Sequence, residues 1–147
     1  MDIFKTTIAN VTARGGEMAS KTIKQTVEIK ADPKEVYDAF MDPKKHAKFT
    51  GAKAKISDKV GGKFSVFDGY AEGENLEIEP GKKIVQTWRA SDWPEGHLSK
   101  ITIKLTKMGK GTKLTFTHTG VPEDFFEDIK QGWVEYYWEP IRQLLEK

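Results

Sequence analysis

Three histidines, four tryptophans and no cysteine bound the chemistry open to this chain. His46, His97 and His118 lack the spacing of metal ligands, so no metal site is expected. Without cysteine there are no thiolate nucleophiles, disulfides or cysteine zinc sites. No Gly-x-Ser-x-Gly elbow is present, and Gly109-Lys110-Gly111-Thr112 lacks the upstream glycine of a phosphate loop. No catalytic residue and no cofactor are assigned. An enzyme built on scattered Asp, Glu or Tyr side chains is the weakest reading left open.

Binding chemistry is better represented. Phe64, Val66, Gly73, Trp88, His118, Trp133 and Tyr137 fall at positions that would line an apolar cavity for a small hydrophobic ligand. Gln86 and Glu72 are candidates for the same space. His118 shares strand parity with Leu114 and Phe116, so it is either a polar group for a ligand or a core histidine satisfied by a neighbour. A second set is superficial. Trp93 and His97, in the loop Ser91 to His97, form a partner-contact loop or else fold back over the sheet end. Lys44, Lys45 and Lys48 belong to a basic run from Lys34 to Lys63 that could meet an acidic partner or simply be solvated.

The elements that position these groups follow from periodicity. From Thr22, Ile23, Val27 and Ile29 share one strand face with Gln25. Asp32-Pro33-Lys34-Glu35 predicts a capped helix start, and Asp42-Pro43 predicts a second short helix through Phe49. Lys63 to Phe67 reads as a strand followed by an Asp68-Gly69 hairpin, with a bulge near Gly73 to Asn75 needed to restore parity. Lys82 to Arg89, a strand carrying Ile101, Ile103 and Leu105, and Thr112 to Thr119 complete the series, separated by Pro80-Gly81 and Gly109-Lys110-Gly111. From Val121 to Lys147, Phe126, Ile129, Trp133, Tyr137, Ile141 and Leu144 recur at helical spacing, widened by Val134, Trp138 and Leu145. A helix of about 24 residues would run about 36 Å. Gly132 and Pro140 are expected to interrupt it, with a kink at Pro140.

Hairpin-linked strands and segregated helices give an α+β fold: a curved antiparallel sheet of six to seven strands wrapped around a long C-terminal helix, with two short helices after the first strand. The 147 residues suit one domain over 21–147, preceded by a loosely ordered segment over 1–20 in which Met18 is a second candidate initiator. The formal net charge of +2 argues against nucleic acid as a partner. No stretch approaches a membrane span or a signal peptide, so a cytoplasmic monomer with no membrane contact is expected.

Gly61-Gly62-Lys63-Phe64, Asp68-Gly69, Trp88-Arg89, Ser91-Asp92-Trp93-Pro94-Glu95-Gly96-His97 and Gln131-Gly132-Trp133 with Tyr136-Tyr137 resemble the C-terminal domain of the activator of heat shock protein 90 ATPase. The likeness runs from about Lys21 to Leu145 and departs from the family pattern at Pro140. It implies the helix-grip fold of the START-like and polyketide-cyclase-like superfamily, many members of which hold an apolar ligand between helix and sheet. The full-length activator has two domains in series, the first supplying much of the chaperone contact; the present sequence resembles the second. Two functions follow as expectations: a non-catalytic domain holding a small apolar ligand, and a chaperone-associated protein that meets a heat shock protein 90 homologue through Trp93, His97 or the lysines.

Overall fold

Ten alternating residues, Ser20–Ile29, form β1 and bury Ile23, Val27 and Ile29 on one face. In the computed structural model, which describes residues 20–146, this strand pairs antiparallel with the last strand of the chain. The N-terminal segment expected to be loosely ordered, Met18 included, lies outside the described residues except for Ser20. Helix α1 (Pro33–Met41) buries Val36, Tyr37, Ala39, Phe40 and Met41. Asp32 occupies its cap position but makes no side-chain cap bond, because its carboxylate pairs with Lys107 at 2.5 Å. Asp42 ends α1 and starts α2 (Pro43–Thr50), accepting hydrogen bonds from the amides of Lys44 and Lys45.

The remaining strands are β2 (Lys55–Ile56), β3 (Lys63–Val66), β4 (Ala71–Glu79), β5 (Lys83–Ala90), β6 (Ser99–Met108) and β7 (Gly111–Pro122). Their spatial order is β1-β7-β6-β5-β4-β3-β2, antiparallel at each pairing. The two ends of the sheet are thus β1 and β2, joined in sequence by α1 and α2. The two-residue β2 carries too little periodicity to be read from sequence.

Three local expectations need correction. Val66 pairs with Ala71, so four residues separate the strands around Asp68-Gly69 instead of two; Phe67, Asp68 and Gly69 all have left-handed backbone, with φ of 54°, 57° and 94°. The bulge expected near Gly73 to Asn75 is present as a register shift between Asn75 and Glu77, and it turns Leu76 out to solvent. Gly73 serves close packing: a Cβ there would lie 1.9 Å from the Thr87 carbonyl oxygen and 2.6 Å from the Phe64 ring. Glu72 faces solvent and leaves the inner space to Gln86, which is buried.

β7 extends to Pro122 and leads through a turn (Glu123–Phe125) into α3 (Phe126–Trp133), a π-helical turn (Val134–Trp138) and α4 (Glu139–Leu145). Gly132 does not interrupt α3. Pro140 does act: the amide of Glu139 bonds back five residues to Val134, so the ladder widens just where proline would clash with the preceding turn. Ile129, Trp133, Tyr137, Trp138 and Ile141 are buried as expected, whereas Leu144 is half-buried. The centre of the core is the Trp133 ring, 4.4 Å from Phe116, 4.5 Å from Tyr137 and 5.7 Å from Trp88. Contact with both β5 and β7 shows the sheet curving around the helix.

Candidate functional site

His118 illustrates how the interior is closed. It is fully buried, and Trp133 donates its indole N–H to Nδ1 at 3.1 Å, so Nδ1 is the bare nitrogen. Nε2 must then carry the proton, which it donates to Ser99 Oγ at 2.6 Å. Ser99 in turn donates to the carbonyl of Trp88 at 2.8 Å. The polar side-chain atoms of Trp133, His118 and Ser99 are thus all partnered. Burial pushes His118 down to about 3, so it stays neutral at ordinary pH. It is a satisfied core histidine and borders no cavity.

A second buried histidine, missed by sequence reasoning, stands on α2. His46 is 2% exposed, and its Nε2 lies 2.9 Å from the hydroxyl of Tyr137, while Phe49, Phe67 and Tyr137 surround its ring. Burial lowers His46 to about 4 and pushes the Tyr137 phenol far above its usual range. The only signal in the sequence was the helical spacing of His46 with Phe49.

Phe64, Val66, Trp88, Trp133 and Tyr137 do converge between helix and sheet, together with His46 and Gln86. The void they leave is about 20 Å³, room for about one water molecule. The expectation of a cavity for a small hydrophobic ligand is therefore not met: aromatic side chains fill the space. Gly73 and His118 do not line this void. A second opening, a slot of about 30 Å³, reaches the surface beside the half-exposed Tyr136 and is lined chiefly by Phe67, Tyr70, Trp88, Trp133 and Tyr137. At its rim, burial first and then the nearby Asp92 carboxylate raise the Tyr70 phenol; burial likewise raises Asp92.

The loop from Ser91 to His97 is folded inward. Trp93 is 3% exposed and packs 5.3 Å from Trp88, with His118 and Phe125 beyond. Its ring cannot serve as an exposed anchor, which corrects the partner-contact reading for this residue. Arg89 staples the loop by donating to the carbonyls of Ala90, Trp93 and Pro94 at 3.1, 2.9 and 3.2 Å. Between Lys21 and Ile23 the β1–β7 register slips at Thr119-Gly120, where Gly120 has φ of 77°. The Gly120 carbonyl accepts from Nε2 of His97 at 2.7 Å. The residues of this motif thus close one end of the core.

Lys44, Lys45 and Lys48 are exposed on α2, and among the described residues only Lys45 approaches an acid, Asp38, at 3.9 Å. Seven lysines and one aspartate occupy 44–63, which makes this corner strongly basic. Asn75 braces its lower loop by donating to the carbonyls of Ser57 and Lys59 at 2.7 and 3.0 Å, while Gln86 donates to Asn75 at 2.8 Å. Among the described residues, no group of three or more His, Asp or Glu side chains is placed to hold a metal ion, and no helix is long and apolar enough to cross a membrane.

A bent antiparallel sheet closed over a C-terminal helix, its two edge strands joined through a helix pair, defines the helix-grip class. Within that class, residues 30–146 match the family described as Activator of Hsp90 ATPase homolog 1-like protein, and the chain belongs to this family. It is 38% identical over 115 residues to an activator of 90 kDa heat shock protein ATPase homolog of Dictyostelium discoideum, and 37% over 122 residues to homolog 1 of Homo sapiens. Those alignments cover 78% and 83% of this chain but 30% and 36% of the relatives, so it spans about a third of their length. An HSP90 activator from Plasmodium falciparum superposes with a TM-score of 0.80 at 31% identity, covering 87% of this chain and 96% of that one.

Proposed function

We propose that this domain is a non-catalytic co-chaperone-like module that binds a heat shock protein 90 homologue through its surface. The observation that carries the reading is the likeness to the Plasmodium falciparum structure: a chain of almost the same extent, 31% identical, is described as an HSP90 activator. The interior supports a surface mode, since a void of about 20 Å³ leaves no place for a hydrophobic ligand to mediate function. Lys44, Lys45 and Lys48 offer the contact. They stand on one short helix with little internal pairing and would meet an acidic face of the chaperone. His97 and the buried Trp93 contribute by holding the neighbouring loop in shape.

The test is a pull-down and ATPase assay with the heat shock protein 90 homologue of the same host. Binding at low salt that weakens with ionic strength, and that is lost in a Lys44→Glu, Lys45→Glu, Lys48→Glu triple variant, is the expected result. Absence of binding at low salt would remove the proposal.

A further inference from the structure

The slot beside Tyr136 is built from residues other than those of the lysine face. Phe67, Tyr70, Trp88, Trp133, Tyr136 and Tyr137 line it, with Ile129 and Gly132 between them. Phe67 lies 6.1 Å from Tyr136 and 5.5 Å from Tyr137, in each case edge to face. Phe67 reaches this place on a backbone with φ of 54°, which bulky side chains rarely adopt. At about 30 Å³ the opening has room for about two water molecules, so an occupant must lie flat over its aromatic mouth instead of entering it.

The surroundings select the sign of the occupant's charge. From Glu123 to Glu139 there are six acids and a single lysine, Lys130. Glu127 and Asp128 stand in the first turn of α3, where they complement the helix dipole; Glu135 lies beyond that turn and accepts from Gln131 at 3.1 Å. Asp92 and Asp128 also act electrostatically on Tyr70. Aromatic faces attract cations, and guanidinium attracts most readily because it is planar and stacks. One small cation would need a single acid. Asp128 and Glu135, which flank the slot-lining face of the helix, instead stand about 10 Å apart along it, the reach of about three residues of extended chain.

We propose that this slot and the acids beside it form a docking site for a basic peptide segment of a partner protein, one arginine of which stacks over the exposed ring of Tyr136. The arginine supplies the anchor and the flanking basic residues supply long-range attraction, so affinity falls with salt.

The experiment is a titration of the full chain, followed through its backbone amide resonances, with an acetylated and amidated Gly-Lys-Arg-Lys-Gly peptide. Shifts centred on Phe67, Gly132 and Tyr136 are expected, with binding weakened by salt and by replacing the peptide's arginine with glutamine. Tyr136→Ala should weaken binding about three- to five-fold, the loss of one exposed cation–aromatic contact. An Asp128→Lys, Glu135→Lys variant, which leaves the rings intact, should weaken it further. Shifts centred elsewhere, no effect of Tyr136→Ala, or no binding would overturn the proposal. Tetramethylammonium binding as tightly as the peptide would also overturn it, by making the slot a site for small cations. The triple lysine variant should bind the peptide normally, so loss of chaperone binding and loss of this site are separable.

Discussion

Trp133 donates its indole N–H to Nδ1 of His118 at 3.1 Å, and that one bond sets the direction of every hydrogen bond behind it. With Nδ1 bare, the proton sits on Nε2, passes to Ser99 as a donated bond, and leaves the Ser99 hydroxyl to cap the Trp88 carbonyl. Trp133→Phe keeps an aromatic ring at the centre of the core but strands a buried acceptor and part of the indole's volume. Chemical denaturation should show a loss of about 2–4 kcal/mol. A loss below about 0.5 kcal/mol would mean that the chain of bonds contributes nothing beyond packing.

The two buried histidines make the fold acid-sensitive. His46 and His118 are held at about 4 and about 3 in the folded protein, against 6.5 when solvated. The unfolded chain therefore takes up protons first as pH falls below 6.5, and stability declines from there until the folded values are reached. The slope approaches about 1.4 kcal/mol per pH unit for each histidine. Denaturation midpoints measured between about pH 7.5 and about pH 5.5 should fall, and His46→Gln should flatten that decline by roughly half. An unchanged slope in the variant would show that His46 is not held neutral.

Arg89 holds the Trp93 loop with bonds to three carbonyls, a geometry that needs the guanidinium fork. Arg89→Lys should therefore cost about 1–3 kcal/mol and speed hydrogen exchange at the Trp93 amide, which bonds to the Ala90 carbonyl at 3.1 Å. Protection unchanged at that amide would count against the staple.

Gly73 tolerates no side chain, because a Cβ would meet the Thr87 carbonyl and the Phe64 ring. Gly73→Ala should destabilise by about 1–3 kcal/mol or more, and it should broaden the Phe64 resonances before those of the distant β1. A neutral effect would mean that β4 and β5 can part at little cost.

The alternation of Ile84, Gln86 and Trp88, of Ile101, Ile103 and Leu105, and of Leu114, Phe116 and His118 made the inner face of the sheet legible, since strand parity leaves one choice of face. Helical spacing did the same for Ile129, Trp133, Tyr137 and Ile141. Two kinds of feature were out of reach. Strand parity did call for a bulge in β4, but the positive φ at Phe67 and the outward turn of Leu76 depend on how neighbouring strands twist, which no local pattern encodes. The volume between helix and sheet depends on the summed fit of rings such as Trp88, Trp133 and Tyr137; their types announce an aromatic interior but not whether it is hollow. His46 was missed because one histidine on a lysine-rich helix gives no hint that Tyr137 waits across the core.

The widened turn at Val134–Trp138 holds one residue more than an α-helix of the same rise would use. That surplus is what keeps Trp133 before it and Ile141 after it aimed at the same wall. Pulled into a single uniform coil at full length, the rear portion would be rotated by about 100° and would present Arg142 or Pro140 where Ile141 now lies. Removing one residue from Val134–Tyr136 together with Pro140→Ala would instead leave both portions in phase. This tail should accordingly bear being shortened better than being straightened.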